Sequence, residues 1–140
     1  MITVYISGGW DPFHIGHLNV IQIAAGLGDR LVVGVATDDR IREYKQREPC
    51  CSFNDRIRIM SELRSVDVVI PYSGPEDMTP IDLFNVNIVI ADQLRGRGKS
   101  VLARSQRRAL VQLRKRGVTV VRVPRTPGIS STLIRSFTHD

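Results

Sequence analysis

His14 and His17 stand three residues apart in the segment GGWDPFHIGH, with Gly16 between them. Three residues along a helical turn bring two side chains to one face, so this spacing predicts two imidazoles projecting together. Gly8 and Gly9 ahead of them permit close backbone approach and unusual φ angles. Gly16 removes a side chain between the rings and opens the helix start to a phosphate. Two imidazole donors at a helix N-terminus suit a phosphoryl group that gains charge in its transition state. The second chemical cluster lies near the other end, in PRTPGISSTLIR. Arg125 is a permanent cation with a forked donor set matched to phosphate. Gly128 permits a tight turn, and Ser130, Ser131 and Thr132 offer hydroxyls and N–H groups at another helix start. The same serines are equally readable as an ordinary N-cap.

The elements that position these residues follow from hydrophobic patterning. Five short runs rich in β-branched residues, Ile2–Ser7, Leu31–Ala36, Asp67–Pro71, Asn87–Ala91 and Val118–Val123, read as strands buried on both faces. Helical periodicity covers His17–Leu27, Phe53–Leu63, Pro80–Phe84, Ser100–Arg116 and Ser131–Phe137. Gly28 and Gly117 read as helix stops, and Ser52 or Asn54-Asp55 as a helix start. Strand alternating with helix predicts an α/β fold: a Rossmann-like, doubly wound, five-stranded parallel sheet in a single domain over residues 1–140. Ligands of such sheets sit at the carboxyl ends of the strands. The segments that follow the strands, 8–17, 37–47, 71–78, 92–99 and 124–132, are therefore the places to look for function.

Composition narrows the classes. The 140 residues are 42% hydrophobic, enough for a core. No run approaches the ~18 apolar residues of a membrane span, and the N-terminal residues lack a signal-peptide pattern. Cys50 and Cys51, as neighbours, suit neither a disulfide nor a zinc site, which predicts a reducing, cytoplasmic setting. Charge is segregated. Residues 1–92 hold eight basic and thirteen acidic side chains, and residues 93–140 hold twelve and one. The basic half predicts a polyanionic ligand. GRGKS at 96–100 is not a P-loop, because the required first glycine is Gln93. With aromatics at 6% and no RNA-binding aromatic motif, nucleic acid is not the expected partner.

The paired segments resemble the two signatures of the cytidylyltransferase family within the H-x-G-H nucleotidylyltransferases. The resemblance runs from Val4 to about Arg135 and is nearest the small bacterial glycerol-3-phosphate type. It implies that His14 and His17 bind the triphosphate and stabilise the transition state, with Lys45 and Arg125 as further catalytic cations. It places Gly8, Gly9, Trp10, Asp11, Gly16, Asp92, Arg125, Thr126, Gly128, Ile129, Ser130, Ser131 and Thr132 around the nucleotide. Lys45, Arg47, Arg56 and Asp38 are placed near the acceptor. Trp10 has a second reading as a core anchor under its loop. The implied reaction transfers CMP from CTP to a phosphorylated alcohol and releases pyrophosphate. Mg²⁺ arrives with the triphosphate rather than in a protein cage, and a homodimer is expected. Two features resemble adenylyltransferases of the same fold instead. Gly-Gly with Asp-Pro in the first motif is similar to mononucleotide adenylyltransferases, and Asp92-Gln93 to archaeal FAD synthetases. Transfer of AMP from ATP is the alternative.

Overall fold

The computed structural model describes residues 1–91, 100–124 and 126–138. Strands β1 (Thr3–Gly8), β2 (Arg30–Ala36), β3 (Val68–Tyr72), β4 (Ile88–Ala91) and β5 (Thr119–Arg122) form one sheet. Their order is β3-β2-β1-β4-β5, and every pairing is parallel. The chain builds β1 to β3 in one direction and then crosses back to lay β4 on the other side of β1. That reversal leaves a crevice beyond the carboxyl ends of β1 and β4, where doubly wound sheets bind ligands.

Alternation along each strand sends side chains to two cores. Val4, Ile6, Leu31, Val33 and Val35 face helices α1 (Ile15–Ala25) and α3 (Phe53–Ser61), where Ile21, Ala24 and Met60 meet them. Tyr5 and Val32 face the opposite way, toward Ile81 of α4 (Thr79–Leu83) and Leu113 of α5 (Val101–Lys115). Fully burying a valine such as Val33 stabilises the fold by about 2 kcal/mol. The nearly continuous Val/Ile runs are thus the signature of strands covered on both sides.

Helix α2 (Asp38–Lys45) is the element that apolar periodicity missed. It buries only Ile41, so it has no apolar stripe to read. Its signal is polar instead. Thr37 caps it by accepting from Arg40 N, acidic Asp38 and Asp39 open it, and basic Arg42 and Lys45 close it. Two helix ends also differ from expectation. α1 begins two residues early, at Ile15, and stops at Gly26 rather than Gly28. Gly28 lies in the following turn, where a Cβ would sit 2.7 Å from the Ile2 carbonyl. Ser52 opens α3 by accepting from Asp55 N, and Gly117 follows α5 with φ +71°. The last helix, α6 (Ser131–Thr138), returns to the first motif. Among the described residues no helix is long and apolar enough to cross a membrane.

Candidate active site

His14 is the N-cap of α1, with an extended backbone, not a residue of its first turn. Its Nδ1 accepts from the N–H groups of Gly16 (3.0 Å) and His17 (3.4 Å). The His14 N–H donates in return to His17 Nδ1 at 3.3 Å. The result is a capping box made of two imidazoles. A neutral imidazole whose Nδ1 accepts must carry its proton on Nε2. Each ring therefore keeps one Nε2–H donor to offer a ligand. Burial, then the neighbouring His14 and the Lys45 ammonium, push His17 down to about 3, against a small opposing pull from Asp11. Burial lowers His14 as well. Both rings are neutral donors at pH 7 rather than cations.

Gly16 serves this pair differently from expectation. A Cβ there would lie 2.8 Å from His14 Cε1, so the glycine makes room for the ring. The N–H groups it was expected to offer to phosphate are already taken by His14 Nδ1. Trp10 likewise turns inward. It is 5% exposed, its Nε1–H donates to the Gly34 carbonyl at 2.9 Å, and its ring edge meets His17 at 5.2 Å. It is the anchor under the loop, which removes its indole N–H from base or ribose contact. Its φ of +54° is uncommon outside glycine, and the buried hydrogen bond holds it there.

Asp11 and Arg56 are also corrections. The Asp11 side chain is 0% exposed and accepts from Arg47 Nη1 (3.0 Å), Cys50 N (2.8 Å) and Cys51 N (2.8 Å). Burial alone would raise its pKa, but the Cys50 N–H, the Arg47 guanidinium and the Cys51 N–H outweigh that and hold it below the usual carboxylate range. Its carboxylate has no face left for a nucleotide. Arg56 was expected to touch the acceptor, yet its side chain is 0% exposed. Its guanidinium donates to the carbonyls of Cys51, Gly9 and Ala36 and to Asp38 Oδ1. Arg56 and Asp38 thus brace the ends of β1 and β2 against α3. Arg47 keeps part of its guanidinium near the cavity while Asp11 holds the rest. Lys45 is exposed at the rim, its Nζ 3.8 Å from where a Gly9 Cβ would stand.

The C-terminal segment closes on this loop across more than a hundred residues. Thr126 accepts from Asn19 Nδ2 (3.0 Å), and Ser131 donates to the Pro12 carbonyl (3.2 Å). Arg135 donates to the Asp11 carbonyl (3.1 Å) and to Thr132 (3.1 Å). Ser130 caps α6 by accepting from Leu133 N, and Gly128 adopts φ +79° in the turn before it. Ile129 reaches within 3.3 Å of the Gly16 Cβ position. One cavity of about 700 Å³ joins the two motifs. Gly8, Gly9, both histidines, Lys45, Arg47, Thr126 and residues 129–132 line it. Sequence reasoning missed Arg135, Arg40, Tyr5 and Tyr72, which line the same cavity. Only the placement of Arg40 and Tyr72 after strands could have marked them. Asp92 and Arg125 lie outside the described residues, as does most of GRGKS. The basic stretch is partly neutralised where it is described: Arg108 pairs with Glu76 (2.6 Å) and Arg116 with Asp82 (2.8 Å).

A doubly wound parallel sheet with its cavity at the strand-order reversal, walled by a histidine capping box, defines a Rossmann-like nucleotide-binding domain. The profile of the family described as "Cytidylyltransferase-like" matches residues 5–137, and the chain belongs to that family. It is 35% identical over 127 residues to the FAD synthase of Thermococcus onnurineus, covering 88% of this chain and 79% of that one. It is 36% identical over 91 residues to the ethanolamine-phosphate cytidylyltransferase of Dictyostelium discoideum, covering 62% of this chain and 25% of that protein. The matched region thus spans about a quarter of that relative, and 60% of a second FAD synthase, from Thermococcus kodakarensis. Among solved structures, the lipopolysaccharide core biosynthesis protein of Thermoplasma volcanium superposes with a TM-score of 0.69 at 28% identity, covering 90% of this chain and 97% of that one.

Proposed function

We propose that this chain is a nucleotidylyltransferase. An oxygen of an acceptor phosphomonoester attacks the α-phosphorus of a nucleoside triphosphate. The bond from the α-phosphorus to the bridging oxygen breaks, and pyrophosphate leaves with the electron pair. The observation that carries this reading is the stacked pair of neutral imidazoles, each with an Nε2–H free of its capping bonds. Such donors stabilise negative charge that grows on phosphoryl oxygens. The acceptor phosphate has a second pKa near ~6, so it is already a nucleophile at pH 7 and needs no general base. Alignment and charge stabilisation are what the protein supplies. Lys45, Arg47 and Arg125 contribute cations to that task.

Among the described residues no three His, Cys, Asp or Glu side chains converge into a metal cage. We expect Mg²⁺ to arrive as a cation carried on the triphosphate.

The nucleotide we assign is CTP and the acceptor a phosphorylated alcohol of the glycerol-3-phosphate kind, on the resemblance of the paired motifs. A second reading, ATP, is favoured by one observation: an FAD synthase aligns with 88% of the chain. A pyrophosphate-release assay with Mg²⁺ tests both. It crosses CTP and ATP with glycerol-3-phosphate, ribitol-5-phosphate, phosphocholine, phosphoethanolamine, nicotinate mononucleotide and FMN. Release with CTP and an alcohol phosphate is the expected result. Release with ATP alone overturns the choice of nucleotide, and no release with any pair overturns transfer itself.

A further inference from the structure

We propose that the crevice between α4 and α5 holds the body of the acceptor, and that this body is a hydroxyl-rich chain or ring of more than three carbons, a sugar or sugar-alcohol phosphate. The proposal rests on the nucleotidylyl-transfer reading and names the substrate class of that site.

The crevice is the part of the cavity that extends over the second face of the sheet, past Ser7 toward Tyr5. Among the described residues, four buried polar atoms on the cavity lining lack a well-aligned hydrogen-bond partner: Tyr5 OH from β1, with only the Ser7 side chain near it, Arg40 Nε from α2, Gln106 Oε1 from α5 and, toward the histidine loop, Arg47 Nε. Tyr5 is 5% exposed, so water does not simply bathe its hydroxyl. The hydroxyl occupies space that Gly34 leaves open, since a Cβ there would collide with it. The Tyr72 phenol lies beside Ser7 and the Arg40 guanidinium.

Buried polar groups are normally paired, and under-satisfied ones from β1, α2 and α5 around one crevice mark a place for a ligand. The trio comprises a group that both donates and accepts, a donor, and an acceptor. Hydroxyls answer all three, because each hydroxyl donates and accepts. The apolar walls, Met78 and Ile81 among them, suit the C–H faces of such a chain. A cationic amino-alcohol fits less well. Glu76 is committed to Arg108 and Ser105, and Asp77 to Ser73 and the Thr79 N–H, so neither carboxylate is left to meet an ammonium.

The test compares kcat/KM for ribitol-5-phosphate and glycerol-3-phosphate in the wild type, Tyr5→Phe and Gln106→Leu, with whichever nucleotide turns over. The first variant loses only a hydroxyl, which protects the fold. Expected are a wild-type preference for ribitol-5-phosphate of tenfold or more, and a fall of that ratio by at least tenfold, through KM, in each variant. Preference for FMN, phosphoethanolamine or glycerol-3-phosphate overturns the proposal, as does an unchanged ratio in both variants. Should no acceptor release pyrophosphate, the transfer reading fails first, and calorimetry of ribitol-5-phosphate decides the crevice separately. Binding that weakens in Gln106→Leu supports it, and absent or unaltered binding overturns it.

Discussion

The imidazoles of His14 and His17 lie face to face, 3.7 Å between ring centroids and 18° from parallel, each locked through Nδ1 to the other residue's backbone N–H. One interaction thus starts the helix and sets the tautomer of both rings. The two roles are separable by substitution. Asn is a good N-cap but has no imidazole. His14→Asn is expected to keep the melting temperature within a few degrees while kcat falls by two orders of magnitude or more. His14→Ala is expected to lose activity equally and also about 1 kcal/mol of stability. Near-normal turnover in His14→Asn, measured as pyrophosphate release, would remove the ring from the chemistry.

Neutral histidines also fix a pH dependence. His17 sits at about 3 in the folded chain and has an ordinary value near ~6.5 when unfolded. Between those values the unfolded chain binds more protons. The folded state is therefore fully favoured above pH ~6.5 and loses stability as pH falls toward 3, by up to about 1.4 kcal/mol per pH unit. Asp11, held low, adds in the same direction at the acid end. Denaturant midpoints between pH 4 and 8 measure this, and His17→Ala should flatten the slope. The acid limb of kcat/KM should instead follow the acceptor's phosphate near ~6 and move when an acceptor of different pKa is used.

Gly16→Ala probes the fit of the pair. The added methyl would meet the His14 ring at 2.8 Å and force it aside. Misplacement by about 1 Å costs on the order of 10²-fold in rate. We expect a loss of that size in kcat with a cooperative thermal transition retained. Turnover within a factor of three would show that the ring position is slack.

Much of the frame was legible in the chain, and the reasons are physical. β1 and β2 announce themselves because strands covered on both faces leave unbroken Val/Ile runs, and the less covered β3, β4 and β5 keep a shorter version of the same pattern. His14 and His17 were legible as a pair by spacing, but His14 as a cap was not, since imidazole is a rare cap and its ring geometry is tertiary. α2 stayed hidden because it buries a single side chain, Ile41. Arg56 and Asp11 read in sequence as groups facing a ligand, and Trp10 reads either as a ligand contact or as a core anchor. What turns them inward are partners far along the chain: Gly9 and Ala36 for Arg56, Cys50 and Cys51 for Asp11, and Gly34 for Trp10. Local pattern carries no record of such partners.

Those inward residues have their own expected behaviour. Asp11→Ala leaves the half-buried Arg47 guanidinium and two backbone N–H groups without their carboxylate, at a cost of about 3 kcal/mol. KM for the acceptor should rise with it, because Arg47 rides on the loop that Asp11 holds and Lys45 ends the helix that leads into that loop. A chemical denaturation curve read beside acceptor KM checks both, and a stable variant with unaltered KM would refute the bracing role.

Arg56→Lys keeps the charge and discards the fork that reaches three carbonyls and Asp38. A loss of about 2–4 kcal/mol is expected, with no direct effect on acceptor affinity at temperatures where the variant is folded. A variant of wild-type stability that binds acceptor poorly would return Arg56 to the site.

The contacts of Ser131 with Pro12 and of Arg135 with Asp11 set an order of events during synthesis. All five strands precede α6 in the chain, so the sheet can form before α6 docks and walls the cleft. Until residue 135 emerges, the histidine loop lacks its far wall. Closure of the cleft therefore follows the emergence of every strand, and a chain cut between β5 and α6 would keep its sheet around an open cleft.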